Sequence, residues 1–246
     1  MTPTKPLDPK ISRTKRESGA LKQLLSDEGV LSLISAMYET FNLPGAAFFS
    51  RALQRRVSRK ANEAREIWLE ETRLAKPRSV DIPEEDAAAI AQAYLRAAIE
   101  GAARENLRLL AAIGAGKNVE RPVLADEFNY YVNILAPLRH DEIALLAEIL
   151  RTEKATSSKS KSGGERRRGN EEAKQELVIR RKIFQTAAHF DAVAGSLQRT
   201  GLIVSYPLQV PTPIAGVVFE STVLLDQINQ LADLDAALSA EAAGSN

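Results

Sequence analysis

The stretch that decides the fold lies near the middle of the chain, where residues 84–113 read EEDAAAIAQAYLRAAIEGAARENLRLLAAI. Larger apolar residues recur at three- and four-residue steps among the alanines, which is the pattern of a helix with a buried face. About 30 helical residues would span roughly 45 Å. Because alanine lets neighbouring helices approach closely, the pattern predicts one long central helix. We expect Asp81 or a neighbour to cap it and Gly114-Ala115-Gly116 to end it.

Apolar periodicity predicts further helices on both sides of this stretch. They cover about residues 20–41, 44–75, 122–137, 140–150, 171–200 and 221–240. Gly201 is placed to end the 171–200 helix in a left-handed conformation. The period then changes, because residues 202–206 and 216–219 are β-rich runs that flank prolines, as in a short hairpin. The predicted fold class is therefore mainly α, a multi-helix bundle with a C-terminal helix–β-hairpin–helix module that is winged-helix-like.

Composition predicts the domain organisation. The N-terminus carries Pro3, Pro6 and Pro9, which is typical of a disordered arm, and a Ser-, Lys-, Gly- and Arg-rich run predicts a flexible basic linker. The expected parts are a disordered arm (1–17), a helical domain (18–152), a basic linker (153–170), a helix–hairpin–helix module (171–241) and a tail (242–246). The linker contains Arg166, Arg167 and Arg168, which form a basic cluster suited to an anionic partner.

Composition also excludes several kinds of chemistry. The 246 residues include no cysteine, which rules out disulfides, thiol catalysis and thiolate metal sites. The only histidines are His140 and His189, and neither belongs to a Glu-x-x-His pair of the kind found in di-metal bundles. Gly114-Ala115-Gly116-Lys117 lacks the flanking residues of a phosphate-binding loop. The sequence therefore predicts no catalytic residues, no metal site and no cofactor.

Charge and hydropathy bear on location and partners. Lys and Arg number 33 against 32 Asp and Glu, so binding to a polyanion must come from a local patch. The most apolar stretch, residues 30–49, is interrupted by Glu39, Asn42 and Pro44-Gly45, so no segment reaches the ~20 apolar residues of a spanning helix. We expect a cytoplasmic protein that contacts a membrane, if at all, peripherally at its inner face.

The strongest local patch is a basic stripe in the helix predicted over residues 44–75. It contains Arg51, Arg55, Arg56, Arg59 and Lys60 within ten residues that include no acid. Phe48 and Phe49 stand directly upstream. An apolar segment followed by a cationic helix suits an anionic membrane surface, and a phosphate backbone equally. The alternative is a solvated face balanced by nearby acids, namely Glu63, Glu66, Glu70, Glu71, Glu84, Glu85 and Asp86.

The C-terminal module has the opposite charge. After Arg199 the chain contains no lysine, arginine or histidine, while its acids are Glu220, Asp226, Asp233, Asp235 and Glu241. A wing that holds DNA phosphates needs cations. A winged-helix-like module of this composition is therefore expected to bind protein instead of DNA.

Three blocks of the second half resemble the abortive-infection alpha (Abi-alpha) family, bacterial helical proteins linked to phage defence. The blocks are Phe128-Asn129-Tyr130-Tyr131-Val132-Asn133-Ile134-Leu135 to Leu138 with Asp141-Glu142-Ile143-Ala144-Leu145-Leu146, then Phe190 to Ile203 with its Thr200-Gly201-Leu202-Ile203 end, and Val217-Val218-Phe219-Glu220-Ser221-Thr222. The resemblance implies a helical fold and a role in the response to infection, and it supplies no catalytic residue.

Together these patterns lead to one functional hypothesis and its alternatives. The leading hypothesis is a non-enzymatic bacterial or prophage protein of abortive-infection type. It would bind a protein partner or an anionic membrane surface through the Arg51–Lys60 stripe, and self-association stays open. The alternative is a nucleic-acid-associated regulator that uses the same stripe and the basic linker. An enzyme with a carboxylate site is a third class.

Overall fold

The computed structural model describes residues 46–75, 82–116, 122–159, 184, 186–207 and 217–244. Within these ranges the chain forms eight helices and one two-stranded hairpin, which confirms a mainly helical fold that ends in a helix–hairpin–helix. The elements are α1 (Ala46–Leu74), α2 (Glu84–Glu100), α3 (Arg104–Gly114), α4 (Ala125–Leu135), α5 (His140–Lys159), α6 (Ala187–Thr200), β1 (Ile203–Pro207), β2 (Val217–Ser221), α7 (Val223–Leu231) and α8 (Leu234–Gly244). The predicted arm, the predicted helix over residues 20–41 and most of the predicted linker lie outside the described residues.

The chain divides into two compact units, residues 1–137 and 138–246. The first unit contains α1 to α4, and the second contains α5 to α8 with the hairpin. The sequence places α5 with the first four helices, whereas the structure groups it with the hairpin. Residues 153–159 of the predicted linker are helical, because α5 continues to Lys159. Glu153 is bonded to Ser221 of β2, so tertiary contacts hold α5 beyond the end of its apolar periodicity.

In the first unit, α3 lies at the centre and packs against α1, α2 and α4. Every residue from Glu105 to Gly114 is buried. The prediction of one helix over residues 84–113 is wrong, because Gly101 adopts a left-handed conformation with φ of 107°. The N–H of Ala102 donates to the carbonyl of Ala97 over 3.0 Å, a bond that closes the end of α2.

In this unit, α2 begins at Glu84 as predicted, whereas α4 begins later than predicted. Pro83 occupies the N-cap position of α2, where its fixed φ suits a helix start, and no side chain caps the helix. The expected acids, Glu84, Glu85 and Asp86, do lie in the first turn. The next helix, α4, begins at Ala125 and not at Pro122. Its first N–H group, that of Ala125, donates to Oδ1 of Asp86 over 3.1 Å, so a contact from α2 fixes where α4 begins.

In the second unit, the predicted hairpin is confirmed. The strands β1 and β2 pair antiparallel, with Ile203 opposite Ser221 and Tyr206 opposite Val218. Gly201 has a φ of 76° and ends α6 as expected. The base of the hairpin is anchored because Phe219 packs against Phe190 of α6, with 5.5 Å between the ring centroids.

Two predicted helices of the second unit are interrupted, at Thr186 and at Ala232. Thr186 is extended and its Oγ1 accepts from the N–H of His189, so α6 begins at Ala187 and does not continue a helix from residue 171. The predicted C-terminal helix is broken at Ala232, which has an extended backbone. Oδ1 of Asp233 accepts from the N–H of Ala236, so Asp233 caps α8 as a separate helix.

Candidate binding surface

One face of α1 is fixed against the core of the first unit. Ala61, Ala64, Ile67 and Trp68 recur at helical spacing and are buried. The Trp68 ring lies so close to Gly114 of α3 that a Cβ atom at position 114 would stand 2.3 Å from Cη2 of the ring. This contact, together with the buried alanines, holds α1 in one orientation.

The other face of α1 presents cations at its N-terminal half. Arg55, Arg56 and Arg59 are exposed, and Arg55 and Arg59 are one helical turn apart. We call these three residues the arginine patch. The structure separates them from Lys60, which is half-buried and whose Nζ lies 3.5 Å from Oε2 of Glu63. Arg51 belongs to α1, but its side chain lies outside what the structure describes.

Glu63 is the first acid after the stripe, and it pairs away from the arginine patch. Its Oε1 accepts from Nη1 of Arg104, at the start of α3, over 2.6 Å. Burial by itself would raise the pKa of Glu63, but the hydrogen bond from Arg104 and the charge of Lys60 outweigh it and lower this pKa below its ordinary value of 4.5. The Glu63 carboxylate therefore pairs with both Lys60 and Arg104.

Two later acids of α1, Glu70 and Glu71, pair with a buried cation. Nη1 of Arg108 lies 2.9 Å from Oε2 of Glu70 and 3.3 Å from Oε1 of Glu71, and the Arg108 side chain is only 8% exposed. Beside them, the hydroxyl of Tyr94 donates to the carbonyl of Ala64 over 2.9 Å. Burial raises the pKa of Tyr94 well above 10, so this hydroxyl stays a donor. Glu70 and Glu71, in the C-terminal half of α1, are thus held in ion pairs with a buried arginine of α3.

These contacts bear on the alternative of a balanced, solvated face. Four of the acids that could neutralise the stripe, Glu63, Glu70, Glu71 and Asp86, have other partners. Across the described ranges, no carboxylate lies within ion-pair distance of the arginine patch. Its three positive charges therefore face solvent without an intramolecular counterion from this part of the chain.

The remaining residues of the predicted sites fall at the margins of the described chain. Phe48 and Phe49 lie in the first turns of α1, and their side chains are outside what the structure describes. Arg166, Arg167 and Arg168 lie outside the described residues altogether. None of the helices in the described ranges combines the length and the apolar character that crossing a membrane requires.

The two histidines lie near the start of α5. The helix begins at His140 as predicted, and Oε2 of Glu142 accepts from the N–H of Arg139 over 2.7 Å. His189 is exposed, and its Nε2 lies 2.9 Å from Oδ2 of Asp141. Among the described residues, no group of three or more acids and histidines is arranged to hold a metal ion. The contacts of His189 thus tie α6 to α5.

The sequence assigned protein binding to the C-terminal module but named no residues for it. In the hairpin of this module, Tyr206 is 51% exposed, and Val217 and Glu220 are exposed as well. The sequence signal was available in the period-2 alternation of the two strands. Alternation alone shows only that alternate residues share a face. The register of β1 and β2 is needed to tell which face packs on α6 and which residues are exposed.

Comparisons with protein-family models, with curated proteins and with solved structures gave no match.

Proposed function

We propose that this chain is a non-enzymatic binding protein that contacts an anionic membrane surface through Arg55, Arg56 and Arg59. The observation that carries the proposal is the exposure of these three guanidinium groups, while Glu63, Glu70 and Glu71 pair with Lys60, Arg104 and Arg108. Because α1 is packed against α3, the arginines are presented together on a held helix.

The expected strength of this contact is modest. A Lys or Arg near an anionic leaflet contributes about 1 kcal/mol, so three contribute about 3 kcal/mol, or roughly a 150-fold preference for the surface. Stable attachment needs a further contribution, and an apolar segment beside a cationic one supplies it at membrane surfaces. Phe48 and Phe49 precede the patch in the same helix. Their insertion is the second part of the proposed contact.

A membrane is favoured over nucleic acid for two reasons. Aromatic residues directly beside the cations suit an interface between water and lipid. A chain that grips a phosphate backbone is expected to extend its cations over several surfaces, whereas the segment after Arg199 carries only acids. The nucleic-acid alternative makes a separate prediction in the experiment below.

The cellular role that we propose is phage defence of the abortive-infection type, in a bacterial or prophage protein that acts at the inner face of the membrane. The support is the resemblance of three blocks, residues 128–146, 190–203 and 217–222, to the Abi-alpha family. In such a role the contact with the membrane would place the protein where infection is detected.

Binding to vesicles tests the contact directly. The full chain is mixed with vesicles of phosphatidylcholine alone or of equal parts phosphatidylcholine and phosphatidylglycerol, and the sedimented fraction is measured. We expect binding to the anionic vesicles only. The variant Arg55→Ala/Arg56→Ala/Arg59→Ala should lose about 100-fold in partitioning.

A matched control removes the same charge elsewhere. Arg73, Arg96 and Arg199 are exposed, so Arg73→Ala/Arg96→Ala/Arg199→Ala changes the net charge equally without touching the patch. This variant should bind like the native chain. Equal losses for both variants would show a nonspecific charge effect and contradict the proposal. Tight, patch-dependent binding of duplex DNA or single-stranded RNA with no vesicle binding would favour the nucleic-acid alternative.

A phage challenge tests the cellular role. Bacteria that express the native chain should give fewer plaques than bacteria with an empty vector, and the arginine-patch variant should give normal plaque numbers. Equal plaque counts for all three across a broad phage panel would contradict the defence role while leaving the vesicle result unaffected.

A further inference from the structure

The strand β2 has an outer edge whose backbone groups point away from β1. The N–H of Ser221 donates to Oε1 of Glu153 over 2.6 Å, and that bond leads out of the hairpin. One residue on, the N–H of Thr222 donates inward to the carbonyl of Leu202 over 3.1 Å. Because inward and outward groups alternate along an antiparallel strand, the N–H and C=O groups of Phe219 and Val217 lie on the same outer edge as those of Ser221.

At Ser221 this edge is occupied by Glu153 of α5, which packs against β2, so the part considered for pairing is residues 217–219. Over the described ranges, no hydrogen bond from outside the hairpin reaches the backbone of Val217 or Phe219. The edge of β1 is less suited to pairing, because it ends in Pro207, which has no N–H group. The hairpin therefore offers one strand edge for a new partner, that of β2.

The side chains beside this edge combine apolar surface with negative charge. Val218 and Glu220 lie on one face of β2, and Tyr206 lies opposite Val218 on the same face. The other face is turned to the core at its base, where Phe219 packs on Phe190. A strand edge with unpaired backbone groups, bordered by an apolar and an acidic side chain, can template pairing with another strand.

We infer that the outer edge of β2 binds an extended segment of a partner protein by strand addition. The segment carries a lysine or arginine beside Glu220 and an apolar residue, two positions along, beside Val218. Main-chain hydrogen bonds supply affinity in this mode, and alternate side chains supply specificity.

Charge complementarity identifies this partner as cationic. From Leu202 to the C-terminus the chain contains no lysine, arginine or histidine, and the exposed acids Glu220 and Asp226 lie on either side of Ser221 in sequence. A second copy that paired through the same edge would set like charges against one another, which destabilises cross-strand pairs. A nucleic acid would be repelled by the same carboxylates.

The surface lies outside the proposed membrane contact and does not depend on it. With both surfaces occupied, the chain would hold a basic partner protein at an anionic membrane. The arginine patch and the edge of β2 can therefore be tested by separate substitutions.

Peptide binding to the full chain tests the inference by fluorescence anisotropy. The probe is a labelled peptide, TKTVTVTK, whose alternate residues are lysine and valine. Control peptides are TETVTVTE and a version of the probe with alternate backbone nitrogens methylated. We expect the native chain to bind the probe, and methylation to weaken binding at least about tenfold, because several hydrogen bonds are lost at once.

Two variants of the chain locate the binding edge. Val217→Pro removes an outer N–H at the first residue of β2, where proline is tolerated, and should weaken binding about threefold to tenfold. Glu220→Lys replaces an exposed side chain, so folding is preserved, and it should reverse the preference between TKTVTVTK and TETVTVTE. The arginine-patch variant should bind the probe like the native chain, so that failure here is distinct from failure of the membrane contact.

Any of the following outcomes would overturn the inference. One is that the methylated and unmethylated probes bind equally, or that Glu220→Lys leaves the peptide preference unchanged. Another is a dimer in light scattering that Val217→Pro dissociates, which would make a second copy the occupant. A third is probe binding only when residues 160–183 are replaced by a Gly-Ser segment of equal length, which would assign the edge to a segment of this chain.

Discussion

The two halves of α1 contain charges at similar density and use them in opposite ways. In the C-terminal half, Glu63, Glu70 and Glu71 pair with arginines from α3, so charge serves stability. In the N-terminal half, Arg55, Arg56 and Arg59 remain exposed, so charge is available to a partner. The number of charges in a helix therefore says little about function until the counterion of each charge is known.

The largest effect on stability is expected at the buried ion pair between Arg108 and Glu71. Arg108→Ala should lower the free energy of unfolding of the first unit by about 3–5 kcal/mol, because it leaves the buried Glu71 carboxylate without this counterion. Chemical denaturation followed by the fluorescence of the single tryptophan, Trp68, measures the loss. Arg96→Ala, at an exposed position of α2, is the control and should change stability by less than about 0.5 kcal/mol. Similar values for the two variants would contradict a buried ion cluster.

The next effect concerns the contact that orients α1. Gly114→Ala places a methyl group against the Trp68 ring and should destabilise the first unit by about 1–3 kcal/mol, although alanine ordinarily favours a helix. Gly195 lies within α6 with nothing within 4 Å of an added Cβ. Gly195→Ala should therefore stabilise the second unit by about 0.5–1 kcal/mol. Thermal melts by circular dichroism measure both, and shifts of the same sign would rule out the close approach of Trp68 to Gly114.

A smaller, pH-dependent effect lies between the two halves, at Glu63. Since the pKa of this carboxyl is lowered in the folded protein, its contribution to stability is present above the ordinary value of 4.5 and is lost as the pH falls through the lowered value. Arg104→Ala should cost up to about 1 kcal/mol near neutral pH, because the pair is partly exposed. The difference in unfolding free energy between native and variant should shrink in acid. A difference that grows as the pH falls would contradict this assignment.

The smallest effect on stability is expected at the arginine patch. Arg55→Ala/Arg56→Ala/Arg59→Ala removes exposed side chains at positions where alanine is an equally good helix former, so each change should be worth no more than about 0.5 kcal/mol. The same variant should lose vesicle binding. Urea denaturation and vesicle sedimentation on one preparation check both results. Substantial destabilisation would show that these arginines serve the fold, and would remove the contrast between the two halves of α1.

Periodicity predicted much of the fold, and the failures have local causes. The end of α1, the left-handed Gly201 and the hairpin all follow from patterns of adjacent residues. The break at Gly101 was missed because alanine and leucine continue on both sides of it. The starts of α6 and α8 depend on the side chains of Thr186 and Asp233, which bond to backbone N–H groups. Such caps compete with helix continuation in a way that apolar spacing does not record.

The sequence predicted which residues form the candidate surface, but not which of them are exposed without a counterion. The sequence located the Arg51–Lys60 stripe, but not which of its cations have counterions. That distinction depends on Arg104 and Arg108, which reach Glu63 and Glu70 from 41 and 38 residues away in sequence. Pairing over such separations is set by packing, which a helical pattern does not encode.

The complete burial of α3 has a consequence for how the first unit opens. A surface helix can fray or detach on one side, and its amide hydrogens then exchange with solvent through local openings. From Glu105 to Gly114 this helix has no solvent-facing side, so its amides become accessible only when its neighbours separate. Deuterium uptake at α3 should therefore be the slowest in the unit, and its rate would report the opening of α1, α2 and α4 as one cooperative event.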